Sequence, residues 1–149
     1  MTTFTKTYSD LDRAIDEVRS LPDEWPAAQN AGGPDAETVQ CVCLVLHEWI
    51  ANLHQHARFQ ASPPTVEIQL SFRDRQVFCS VLDNSEGFEI ETHLPDEDDD
   101  PEALPERGMG LRMIKTCTDA LSYTPTDDGL QCFEFNIPSD HDPWLNTLF

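Results

Sequence analysis

Val45-Leu46-His47-Glu48-Trp49-Ile50-Ala51-Asn52-Leu53-His54-Gln55-His56 reads as the second half of a long amphipathic helix. Val42, Val45, Leu46, Trp49, Ile50 and Leu53 recur at three- and four-residue intervals, a stripe broad enough to face a core. Glu48, Asn52 and His56 fall on the adjacent face, and at about 3.6 residues per turn they lie one above another. A carboxylate and a carboxamide so placed can converge on one metal-bound phosphate group. Upstream, Pro34 sits near the helix start and Asp35 and Glu37 suit its electropositive end. Downstream, the helix is expected to run to about Phe59, before Ala61-Ser62-Pro63-Pro64 stops it.

After that stop, Val66, Ile68, Leu70 and Phe72 alternate with polar residues, and Arg73-Asp74-Arg75-Gln76 connects them to Val77 through Leu82. This predicts an antiparallel pair with one face on a helical layer. The second strand runs into Asp83-Asn84-Ser85-Glu86-Gly87-Phe88, where a glycine allows close backbone approach to a ligand. Residues 89–107 are acidic and carry three prolines, a composition that fits a lid over a site or a solvated loop. Gly108-Met109-Gly110-Leu111 follows and opens a helix ending around Ala120. A final hairpin is expected from Leu121–Thr124, the Asp127-Asp128-Gly129 turn and Leu130–Ile137. Trp144, Leu145, Leu148 and Phe149 give residues 139–149 an apolar tail that can dock in cis or meet another chain, a homodimer partner included.

At the other end, Thr2–Tyr8 has β-branched, alternating character suited to an edge strand. Ser9-Asp10 caps a short helix, Leu11–Arg19, and prolines and glycines interrupt the chain from Leu21 to Gly33. Together these elements predict an α+β fold, a two-layer α/β sandwich whose sheet is mixed and mostly antiparallel. With 149 residues, the chain fits one domain spanning 1–149.

Composition narrows the function. Twenty-eight acidic residues against nine Lys and Arg give a formal charge of -19, which repels nucleic acid and anionic membranes. It also repels bare ATP, so nucleotide binding requires Mg²⁺ and local positive potential from helix ends and a few basic side chains, with Arg107, Arg112 and Lys115 as candidates. No stretch reads as a secretory signal or a membrane span, which makes the cytoplasm the expected location. Five cysteines, an odd number in mostly apolar surroundings, predict buried free thiols. Cys41-x-Cys43 has no second paired motif, so structural zinc is not expected. His47-Glu48-Trp49-Ile50-Ala51 has alanine where a zinc protease needs its second histidine. His56 is read as a packed or capped side chain, not a proton carrier.

The ordered trio of Glu48/Asn52, Asp83–Gly87 and Gly108–Leu111 resembles the superfamily of gyrase, heat-shock chaperone, histidine-kinase and mismatch-repair ATPases. Its closest-looking branch is the bacterial anti-sigma factor serine-protein kinases, and the resemblance runs from about Leu11 through Pro138. It implies the histidine-kinase-like ATPase fold, with ATP and Mg²⁺ as cofactors. Glu48 would be the general base or a hydroxyl-polarising group, Asn52 would ligate Mg²⁺, and Asp83 would accept a hydrogen bond from the adenine amino group. Gly87 would let the chain pass the base, while Gly108, Gly110 and Leu111 would border the phosphates. The implied partners are a sigma factor and a small anti-sigma-factor antagonist phosphorylated on serine. The chain departs from the family pattern at Ser85-Glu86, at Gln55, and at Gly129-Leu130-Gln131, which lacks the usual Gly-Thr pair. A non-catalytic nucleotide-responsive regulator and a structural interaction domain with a decayed cleft are the alternatives.

Overall fold

Asp35 starts the long helix that carries the site. In the computed structural model, which describes residues 3–59, 63–88, 114 and 117–139, helix α4 spans Ala36–His56. The elements before it are strand β1 (Phe4–Tyr8), helix α1 (Leu11–Glu17) with a tight continuation over Val18–Ser20, and one-turn helices α2 (Leu21–Glu24) and α3 (Pro26–Gln29). Strands β2 (Val66–Arg73), β3 (Gln76–Asp83), β4 (Ala120–Pro125) and β5 (Gln131–Pro138) follow.

The Asp35 carboxylate accepts the Thr38 N–H at 2.8 Å, which makes Asp35 the N-cap and starts α4 at Ala36, two residues after Pro34. The helix stops at His56, short of the expected Phe59, because Ala57 is extended and the Arg58 carbonyl is taken by the Glu86 N–H at 2.9 Å. Asp10 caps α1 as expected. The proline-rich interruption is two short helical turns, each with proline in its first turn, pinned to the core by Trp25 between them.

The sheet order is β1-β2-β3-β5-β4, and every neighbouring pair is antiparallel. Asp74 and Arg75, both at positive φ (51° and 58°), form the tight β2–β3 turn, the backbone that matches strand twist. Ile114 and Cys117 belong to a helix that has ended by Thr118, whose N–H bonds the Ile114 carbonyl. The Asp119 N–H is already given to Asn136, so β4 starts at Ala120. The start of that helix lies outside the described residues.

Alternation puts Val66, Ile68 and Leu70, then Val77, Cys79 and Val81, then Phe133, Phe135 and Ile137 on the helix side of the sheet. Against them pack Val42, Val45, Leu46, Trp49, Ile50 and Leu53, all buried as the helical stripe predicts. Burying each large side chain contributes about 1.5–3 kcal/mol. The other sheet face is polar, with Glu67, Gln69 and Ser71 on β2. This is the two-layer α+β sandwich of the histidine-kinase-like ATPase fold.

One feature departs from the sequence expectations. All five cysteines are free, but only Cys79 and Cys132 are buried; Cys41 and Cys43 flank the stripe while Val42 takes the buried position. Among the described residues no helix is long and apolar enough to cross a membrane.

Candidate functional site

The strand register places a carboxylate where the alternation calls for an apolar side chain. Asp83 is the last inward position of β3, level with Val66 on one neighbour and Gln131 on the other, and it is 1% exposed. A buried carboxylate requires donors, and the chain supplies them locally. Asp83 Oδ1 accepts the Ser85 N–H at 2.9 Å and the Ser85 hydroxyl. Asp83 Oδ2 accepts the Tyr123 hydroxyl at 3.2 Å. Burial pushes the Asp83 carboxyl above its ordinary range, and the hydrogen bonds from Ser85 and Tyr123 pull it partly back.

The loop after Asp83 is held from several sides. Ser85 Oγ accepts the Gly87 N–H at 2.9 Å. Asn84 accepts the Thr65 N–H at 2.8 Å and donates to the Pro63 carbonyl at 3.0 Å. Gly87 has φ +80°, and a Cβ there would come within 2.9 Å of the Gln131 side chain. The backbone angle therefore calls for glycine, while the atoms nearest that Cβ belong to the flexible end of the Gln131 side chain of β5.

An aromatic cluster joins this loop to α4. Trp49 stacks on Phe133 at 3.9 Å, lies 5.4 Å from Phe88 at 27°, and meets Tyr123 edge-on at 4.8 Å. Its indole is fully buried, and its Nε1–H has no partner among the described residues. Leaving a buried donor unpaired costs about 1–3 kcal/mol. His56 lies 5.9 Å from Phe88 and so packs against the loop.

On the neighbouring helix face, Asn52 Nδ2 donates to the Glu48 carbonyl at 2.8 Å. That bond leaves the carboxamide oxygen, the atom a hard divalent cation takes, outside the helix bonding. The Glu48 carboxylate is about a quarter exposed, 27%, with His47 Nδ1 3.6 Å from one oxygen. Glu48 and Asn52 are thus adjacent on α4, and Trp49 and His56 tie the same helix to the Asp83–Phe88 loop. Gly108, Gly110 and Leu111, the expected phosphate border, lie outside the described residues, as do the 89–107 lid, Arg107, Arg112, Lys115 and the tail beyond Ser139. Sequence reasoning missed Tyr123, Ser85, Trp49 and Gln131 as members of the site. Trp49 was visible only as a core position of the α4 stripe. A concavity of about 460 Å³ on the polar sheet face is lined by Gln69, Ser71, Arg73, Phe78 and Asn136 among others. None of the candidate site residues lines it.

The donor set fits a nucleotide with its metal: Asp83 retains an acceptor position for an amino group, Trp49 carries an unmet donor, and Asn52 has a free oxygen. The site thus sets a buried carboxylate beside a helix presenting Glu and Asn four residues apart, on a two-layer antiparallel sandwich. The chain belongs to the histidine kinase-like ATPase domain family, whose model matches residues 9–132. Among solved structures it is similar to the RsbU and RsbW domains of Rv1364c from Mycobacterium tuberculosis, with 14% identity and a TM-score of 0.56. That alignment covers 93% of this chain and 32% of the other, so this chain spans about a third of that structure's length. The nucleotide-free catalytic domain of the histidine kinase ThkA aligns at 16% identity and a TM-score of 0.49, over 93% of this chain and 98% of that one. No curated protein sequence matches significantly.

Proposed function

We propose that this chain is a Mg-ATP-dependent serine-protein kinase and anti-sigma factor of a partner-switching system. The observation that carries the proposal is the pairing of Glu48 and Asn52 on α4, with the Asn52 amide nitrogen tied to the Glu48 carbonyl so that its oxygen is left for a cation. The family match supports the nucleotide, and the likeness to a structure containing an RsbW domain supports the kind of partner.

In this mechanism the Asp83 carboxylate accepts the base amino group, and Asn52 Oδ1 is the oxygen that would hold Mg²⁺. Bound Mg²⁺ supplies charge neutralisation of the transferring phosphoryl group. Glu48 accepts the proton of the attacking serine hydroxyl as the oxygen comes into line. Its carboxylate is partly exposed, as a group meeting a protein substrate has to be. Because the chain itself is strongly acidic, a phosphate added to the antagonist weakens that complex by repulsion.

A second reading, a regulator that binds nucleotide without transferring phosphate, is favoured by one specific feature. Asp83 is closed to solvent, so the residues covering it must move before a base reaches the one acceptor position that its three internal donors leave open. Reconstitution with candidate sigma factors and antagonists from the source genome separates the two. The kinase reading predicts serine phosphorylation of the antagonist with ATP and none with ADP. Nucleotide-dependent partner binding with no phosphate transfer selects the regulator.

A further inference from the structure

We propose that Tyr123 selects which nucleobase Asp83 can accept. The inference rests on the nucleotide-binding reading of the site and assigns a specificity role to a side chain outside every recognised motif.

A carboxylate has about four acceptor positions, two on each oxygen. At Asp83, Oδ1 is filled by the Ser85 N–H at 2.9 Å and the Ser85 hydroxyl. One position on Oδ2 is filled by the Tyr123 hydroxyl at 3.2 Å. One position remains, so the carboxylate accepts a single further N–H without losing a bond. The one open acceptor position suits the exocyclic amino group of adenine. Guanine carries a carbonyl oxygen where adenine carries the amino group, so it can meet a carboxylate only with its ring N1–H and exocyclic amino group, two adjacent donors. Seating guanine at Asp83 requires Tyr123 to release Oδ2 and leaves its phenol unpaired in a buried setting.

Tyr123 is poorly placed to give way. Its backbone pairs with Phe133 in the β4–β5 register, and its ring touches Trp49 at 4.8 Å and Phe88 at 5.4 Å. Burial and the nearby Asp83 charge push the phenol well above its ordinary range, so it stays a donor throughout the physiological pH span. The spacing along the sequence hides this contact, since residues 83 and 123 meet only because β5 lies between β3 and β4.

Tyr123→Phe tests the role while keeping the ring. Dissociation constants for Mg-ATP and Mg-GTP are measured by calorimetry on the full chain and on the variant, with thermal melts to verify folding. The parent is expected to prefer ATP, and the variant to narrow the ATP-over-GTP preference by about tenfold, because Oδ2 then has two free positions. A folded variant with an unchanged ratio overturns the inference while leaving ATP binding intact. Inosine triphosphate on the parent gives an independent check that needs no variant. Its base has the N1–H but no exocyclic amino group, so it should bind more tightly than GTP, and equal affinity overturns the inference. If neither ATP nor GTP binds the parent, the nucleotide reading falls and this inference falls with it.

Discussion

Asn52→Ala separates metal binding from folding, because the structure predicts almost no stability cost. The side chain makes one hydrogen bond, to the Glu48 carbonyl at 2.8 Å, from a half-buried position on α4. Losing such a bond costs about 0.5–1.5 kcal/mol, and alanine in a helix interior recovers about 0.5 kcal/mol over asparagine. The net change is at most about 1 kcal/mol, a shift of roughly 2–4 °C in Tm for a domain of this size. Mg²⁺-dependent ATP affinity should fall far more, by at least about tenfold, or about 1.4 kcal/mol, since an oxygen ligand is deleted. Calorimetric titration of ATP across a Mg²⁺ series, paired with thermal melts, reads both quantities. Superimposable isotherms for the parent and the variant at every Mg²⁺ concentration would refute the metal role of Asn52.

Three further perturbations follow from the same geometry. Glu48→Gln should keep most nucleotide affinity yet lower phosphate transfer by about 10²-fold or more, read by single-turnover transfer to the antagonist; an unimpaired rate removes Glu48 as base. Asp83→Asn should weaken ATP by about 1–3 kcal/mol and also change the pH profile of stability. The folded carboxyl is raised mainly by burial, so its contribution to stability is full below the unfolded value of about 3.9 and is lost as pH rises through the folded value. Melts from pH 4 to 7 should show the variant gaining on the parent as pH rises, and parallel profiles contradict the assignment. Arg75→Gly relieves a non-glycine residue at φ 58° in the β2–β3 turn and leaves the main-chain bond from the Ser139 N–H to the residue 75 carbonyl. It should stabilise the fold by about 1 kcal/mol, seen as a higher denaturation midpoint. A lower midpoint would show that the arginine side chain contributes more than the turn strain costs.

The elements that a single periodicity specifies were legible in the sequence. The apolar stripe of α4 and the alternation of β2 and β3 each depend only on which residues face the core, and every predicted stripe position is buried. Element ends were less legible, because they depend on distant partners: α4 stops before Phe59 partly because Glu86, a loop residue after β3, claims the Arg58 carbonyl. In the site, Glu48, Asn52 and Asp83 stood out by type and spacing, and the structure ties them to one helix and one loop. Ser85 looked like a mere departure from a glycine-rich loop. Its hydroxyl instead bridges the Asp83 carboxylate and the Gly87 N–H, a role that glycine cannot fill. Tyr123 could not be found from spacing, since its contact with Asp83 depends on the strand order of the whole sheet. The phosphate-side candidates Gly108, Gly110 and Leu111 lie outside the described residues and keep the standing that family resemblance gives them.

The proposed function places Mg-ATP where α4 meets the Asp83–Phe88 loop. Titration of ATP into the purified chain by calorimetry, with Mg²⁺ and with a chelator, tests it most directly. The account predicts saturable binding of one ATP per chain that is strongly weakened when Mg²⁺ is removed, because the acidic chain cannot hold bare triphosphate. Absence of saturable heat at millimolar ATP with Mg²⁺ present, in protein shown by melting to be folded, would contradict it.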